Sequence, residues 1–218
     1  YRAAYELGRH VIGYEIQKVL AAVDSFEENG LPIGVFGHGE GGLIAFYSAA
    51  IDPRIGSVGV SGFFMQREDL WAQPKYPNVF GLLNDFGDAE VASLVSPRKL
   101  VLEIAGHPEV QEPPKVEGVS QSGAPGRLMT SDPEEVEIEF DRARSLSSDS
   151  ESLVLTRSRS GNPGEAETLE AFSAGLGVAP THTDRDDVPR YVREGVCPQL
   201  RFIRQFDLLV EHTQVSVG

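Results

Sequence analysis

The sequence predicts an α/β fold with a mainly parallel sheet flanked by helices, and three observations carry this. Short apolar runs at 33–36, 57–64, 100–104 and 152–156 have the length and composition of strands. Helical or irregular stretches separate them with no hairpin signal, so the strands pair in parallel. The first strand passes through GHGEGG, residues 37–42, into a helix, a strand–turn–helix step built on glycine.

Each element has a local reason. Ile12, Ile16, Val19, Leu20, Val23 and Phe26 recur at spacings of three and four, which predicts one helix over 3–28, closed by Gly30 and Pro32. Strand 33–36 follows, then a helix at 42–50 and a turn at Asp52-Pro53-Arg54. Beyond strand 57–64 the polar stretch 65–78 is irregular, with Trp71 and Tyr76 as its expected anchors. Two short helices are expected in NVFGLLNDFG and DAEVASLVSP, ended by Pro97. Strand 100–104 leads into a Pro-, Gly-, Ser- and Glu-rich loop insertion at 108–131. Asp132-Pro133-Glu134-Glu135 is a helix start with a cap, a proline at the first position and a capping-box glutamate. That helix runs to about Leu146. Strand 152–156, a polar glycine turn and a core helix at 168–176 complete the domain.

Composition excludes several functions. The 218 residues carry a formal net charge of -14, which repels a nucleic-acid backbone or an anionic membrane surface. No apolar run is long enough to span a bilayer. Neither nucleic acid nor membrane is therefore an expected partner. Cys197 is the single cysteine, so there is no internal disulfide and no cysteine metal cluster.

In the elbow G-x-S-x-G, a nucleophile sits exposed on a strained strand-to-helix turn. Small residues two before and two after it let strand and helix pack closely. Gly37 and Gly41 meet that demand, and Gly42 adds to it, but the centre is Gly39. Centring on Glu40 puts His38 where a small residue is needed, and centring on His38 puts Phe36 there. Glycine accepts positive φ without the cost a side chain incurs. Gly37, Gly39 and Gly42 also fit the dinucleotide fingerprint G-x-G-x-x-G. Against it, Glu40 sets a negative charge where the phosphate sits, and the strand ending in Ser61-Gly62 lacks the ribose-binding carboxylate.

The ordered motifs GHGEGG (37–42), DPRI (52–55), SPRKLVLEIAGHPEV (96–110) and SLVLTRSRSG (152–161) resemble the C-terminal half of the α/β-hydrolase superfamily. The resemblance covers about 5–180 and is nearest to dienelactone-hydrolase and acetyl-xylan-esterase-type proteins. It implies that Gly39 stands at the nucleophile position, with the nucleophile absent. It implies Glu109, in Gly106-His107-Pro108-Glu109, as the triad acid. The base should lie just past the last strand, where there is no histidine. His182 is the nearest downstream. His38, Glu40 and Gly41 form the elbow and oxyanion region, with the Glu40 N–H as the oxyanion donor. The family's first four strands have no counterpart here, and the chain begins with Tyr1, so a larger parent protein supplying an N-terminal half is expected. An unpaired edge on strand 33–36 agrees with this.

The remaining charged and polar groups have plainer readings. His10 and His212 fall on helices and read as structural, and His38 packs or hydrogen-bonds beside the elbow. Ser158 and Ser160 are turn residues. His182, Asp184, Asp186 and Asp187 read as a solvated acidic loop, with no metal expected. Glu134, Glu135, Glu137, Glu139 and Asp141 read as a solvated helix face.

These readings divide the chain into a partial hydrolase-like domain, 1–180, and a linker with a C-terminal amphipathic helix, 181–218. Two functions follow. One is a catalytically degenerate α/β-hydrolase-like domain, a pseudoenzyme. The other is a carboxylic-ester hydrolase of the esterase or dienelactone-hydrolase type, present as a fragment or inactivated form, with a small ester or acylated carbohydrate as substrate. No cofactor is expected in either.

Overall fold

A computed structural model describes residues 2–28, 30–68, 70–74, 77–109 and 126–179. The compact unit that carries the elbow spans Tyr1–Pro180, and the second unit, Thr181–Gly218, lies outside the described residues. The sheet has four strands, β1 (Ile33–His38), β2 (Ile55–Ser61), β3 (Lys99–Ile104) and β4 (Leu153–Arg157), in the order β1-β2-β3-β4. All neighbours are parallel. The helices are α1 (Arg2–Glu6), α2 (Val11–Glu27), α3 (Glu40–Ile51), α4 (Asp88–Val95), α5 (Pro133–Leu146) and α6 (Ala166–Ala174). None is long and apolar enough to cross a membrane.

Helices cover both faces of the sheet, and the strand sequences show how. On β2, Val58 and Val60 are buried in the main core, and the Cγ1 of Val60 faces Gly42 of α3. The alternate residues Ser57, Gly59 and Ser61 face α6. Ser57 Oγ donates to the Phe172 carbonyl, and a Cβ on Gly59 would lie 2.2 Å from the Phe36 ring. Phe36 and Phe172 then meet edge to face at 5.8 Å. Gly59 of β2 and Gly34 of β1 thus make room for the Phe36 and Phe172 rings.

The predicted helix over 3–28 is in fact two. Gly8 takes φ +67°, and His10 caps α2, its Nδ1 accepting from Ile12 N at 3.2 Å and its Nε2 donating to Asn78 O at 2.7 Å. His10 is structural, but as a cap and not within a helix. Ile12, Ile16 and Val23 are buried as the stripe requires, while Phe26 is exposed. Strand β2 ends at Ser61, because Gly62 at φ +63° turns the chain before the two phenylalanines. In NVFGLLNDFG only a 3-10 turn, Leu82–Asn84, forms. Trp71 is 82% exposed and so is not part of the core; Tyr76 lies outside the described residues. The last helix ends at Ala174, two residues early.

The start of α5 is as read: Asp132 accepts from Glu134 N at 2.8 Å, with Pro133 in the first turn. Its acidic face is not uniformly solvated. Glu139 is 2% exposed, accepting from Ala89 N at the start of α4 and from Arg142. An ion-pair strap of Glu90, Arg142 and Glu139 therefore joins α4 to α5.

Candidate functional site

The elbow forms where β1 meets α3. Gly39 has φ 56° and ψ −122°, a conformation that side chains resist. Its N–H donates to Ser61 O at 2.9 Å, and its carbonyl accepts from Leu43 N. Only one of the flanking glycines is sterically required. A Cβ on Gly37 would lie 2.0 Å from the Gly41 carbonyl oxygen, whereas a Cβ on Gly41 would meet nothing within 4 Å. Gly42 packs closely on Val60 and Phe63. The tight approach is of Gly41 backbone onto Gly37, not of two small side chains.

The loop after β3 lies over this turn. Gly62 is its seat, since a Cβ there would stand 2.9 Å from Gly106 O. His38 Nε2 donates to Gly106 O at 2.6 Å, and Gly106 N donates to Gly161 O at 2.9 Å. The next residue, His107, donates its N–H to Thr130 Oγ1 at 3.1 Å, and that hydroxyl donates to Glu109 Oε1 at 3.2 Å. The His107 ring donates from Nδ1 to Pro108 O at 2.9 Å. A Cβ on Gly39 would lie 2.9 Å from Pro108 Cδ and 3.4 Å from His107 Nε2. Burial holds the His107 pKa below the ordinary imidazole value, only partly opposed by its hydrogen bond to Pro108.

Two buried charge systems support the site. Glu103, at the end of β3, accepts from Ser61 Oγ at 2.5 Å, Gly164 N at 2.8 Å, Glu165 N at 3.1 Å and Thr168 Oγ1 at 2.7 Å. It binds β2, β3 and the start of α6 at one point. Arg67 lies 3.9 Å over the Phe63 ring and pairs with the buried Asp88 at 2.9 Å. Burial pushes the Asp88 carboxyl up, and Arg67 opposes this. Between Arg67 and the elbow is a cavity of about 20 Å³, lined by Glu40, Phe63, Met65, Arg67, His107 and Met129 among others.

Of the residues singled out by sequence, Gly39, His38, Glu40 and Gly41 gather at the elbow. Glu109 is exposed on the loop above it, bonded to Thr130. His182 and the acidic loop after it lie outside the described residues. Ser158 and Ser160 are turn residues, gathered by Glu165 Oε1, which also accepts from Arg159 N. Those bonds hold the Glu165 carboxyl down to about 2. Among the described residues no group of three or more metal-ligating side chains forms.

Sequence reasoning missed His107 and Pro108. The one signal is their place in Gly106-His107-Pro108-Glu109, a stretch in which the resemblance singles out the glutamate. Strand β3 is not a neighbour of β1, so nothing in the sequence shows that the loop crosses β2 to reach the elbow.

No protein-family model matches the chain, and no curated protein matches it. Among solved structures it is similar to a carbohydrate esterase family 15 glucuronoyl esterase from Caldicellulosiruptor kristjansonii. The identity is 15% and the TM-score 0.49, over 80% of this chain and 53% of that one. The chain thus spans about half the length of the structure it matches.

Proposed function

We propose that this chain is a non-catalytic domain of the α/β-hydrolase type, a pseudoenzyme whose elbow is kept for structure or binding. The observation that carries this is the Pro108 ring. Its Cδ lies 2.9 Å from where a Cβ on Gly39 would stand, closer than real Cβ contacts come. Loss of a nucleophile by substitution alone would leave its space open. Here the neighbouring loop occupies it, so the site is adapted to glycine.

The edge of β1 supports membership in a larger sheet. The Gly39 N–H points to β2, so by strand alternation Gly34, Phe36 and His38 turn their backbone groups to the outer side. Among the described residues no strand lies beyond β1, although α3 and α6 cover its faces. Strand β1 itself contains no proline and no Lys, Arg, Asp or Glu. A further strand from a larger parent protein is the partner this reading assigns to it.

A carboxylic-ester hydrolase for a small ester or acylated carbohydrate, present here as a fragment or inactivated form, is the second reading. The retained turn at Gly39, strained for any side chain, favours it. Labelling with a fluorophosphonate probe and reading intact mass tests the first reading. The first reading expects no adduct on the unmodified chain, and a stoichiometric adduct would overturn it.

A further inference from the structure

We propose that His107 is a general base held over the elbow, so that this chain keeps the base of a latent acyl-transfer site for acetyl esters, whose nucleophile is absent and whose nucleophile position the Pro108 ring covers. The proposal rests on reading the Gly39 turn as a hydrolase-type elbow. The resemblance places the base beyond the last strand, whereas this ring comes from the loop after β3.

The tautomer follows from the partner. Pro108 O is a carbonyl and only accepts, so His107 Nδ1 carries a proton. In the neutral ring Nε2 then bears the lone pair, and Nε2 is the atom 3.4 Å from a Cβ on Gly39. A hydroxyl one bond further out falls within reach of it. A base needs a third group to fix its ring. Here a carbonyl does so, while the backbone of His107 is pinned through Thr130 to Glu109. The cavity of about 20 Å³ beside Glu40 and His107 has room for one water-sized group, such as an acetyl methyl.

Substitution Gly39→Ser supplies the missing atom. Its Oγ bonds to the ester carbonyl carbon while its proton passes to His107 Nε2. The C–O bond to the alcohol breaks as the tetrahedral intermediate collapses, and Nε2 returns the proton to the leaving oxygen. Water then attacks the acyl-enzyme, giving its proton to Nε2, which restores the hydroxyl on collapse. Pro108→Ala removes the ring that blocks the position and keeps the carbonyl that holds Nδ1.

The test uses the full chain carrying Gly39→Ser and Pro108→Ala with p-nitrophenyl acetate. The expected result is a burst of p-nitrophenolate approaching one equivalent, slower with the butyrate ester. Adding His107→Gln slows acylation by about 100-fold or more. A folded double variant with no burst, or a burst that survives His107→Gln, overturns the proposal. Should the double variant not fold, nitrogen NMR of the unmodified chain decides: the neutral His107 ring is expected as the Nδ1–H tautomer, and the Nε2–H tautomer overturns it. Hydrolysis by the unmodified chain is a different failure, that of the non-catalytic reading.

Discussion

Pro108 and Gly39 are fitted to each other: the proline Cδ stands 2.9 Å from the point where a side chain on Gly39 would begin. The contact joins the loop after β3 to the turn after β1 across the end of β2. Gly39 serves twice there, adopting φ 56° without strain and leaving space for the ring. The surrounding bonds, from His38 to Gly106 and from His107 to Thr130, hold the loop in that place.

Gly37 and Gly41 are predicted to respond oppositely to alanine. Gly37→Ala drives a Cβ to 2.0 Å from the Gly41 carbonyl oxygen, so the strand–helix junction must open. Gly41→Ala points into open space on a helix, where alanine is favoured by up to about 1 kcal/mol. Urea denaturation should show the first variant severely destabilised and the second unchanged or stabilised. Equal losses would contradict the described junction.

Removal of Arg67 is predicted to leave Asp88 as a buried, uncompensated carboxylate. Arg67→Met should cost about 3–5 kcal/mol. Adding Asp88→Leu should recover much of this, since the second charge is then gone. A double-mutant cycle by denaturation checks the sign of the coupling.

Glu90 sets an acid limit to stability. Its hydrogen bonds with Arg142 depress its pKa from 4.5 to about 2. A folded pKa below the unfolded one means that the contribution is complete above about 4.5 and is lost as pH falls toward 2. Arg142→Ala should therefore move the acid-unfolding midpoint to higher pH, followed by circular dichroism. No movement would show that the α4–α5 strap carries no stability.

Amide exchange should alternate along β1. The N–H groups of Val35, Gly37 and Gly39 face β2 and should be protected, while those of Gly34, Phe36 and His38 should exchange faster. Pairing with a further strand in a larger protein should protect the second set. Uniform protection in this chain alone would show that the edge is already covered.

Much of the fold was legible because local chemistry agreed with the tertiary structure. Four apolar runs became the four parallel strands, and Asp132-Pro133 became the start of α5. What stayed hidden depended on distant partners. Glu139 sits in an acidic stretch, and its burial follows from Ala89, fifty residues away in sequence. Trp71 shows the converse, a large ring left exposed by its surroundings. At the site, the elbow was readable from glycine spacing, but His107 was not, because its role depends on a loop crossing the end of β2.

The most direct measurement is hydrolysis of p-nitrophenyl acetate by the unmodified chain, compared with the same chain carrying His107→Gln. The account predicts that neither exceeds the uncatalysed rate, because the elbow offers no nucleophile. Saturable turnover by the unmodified chain would contradict it.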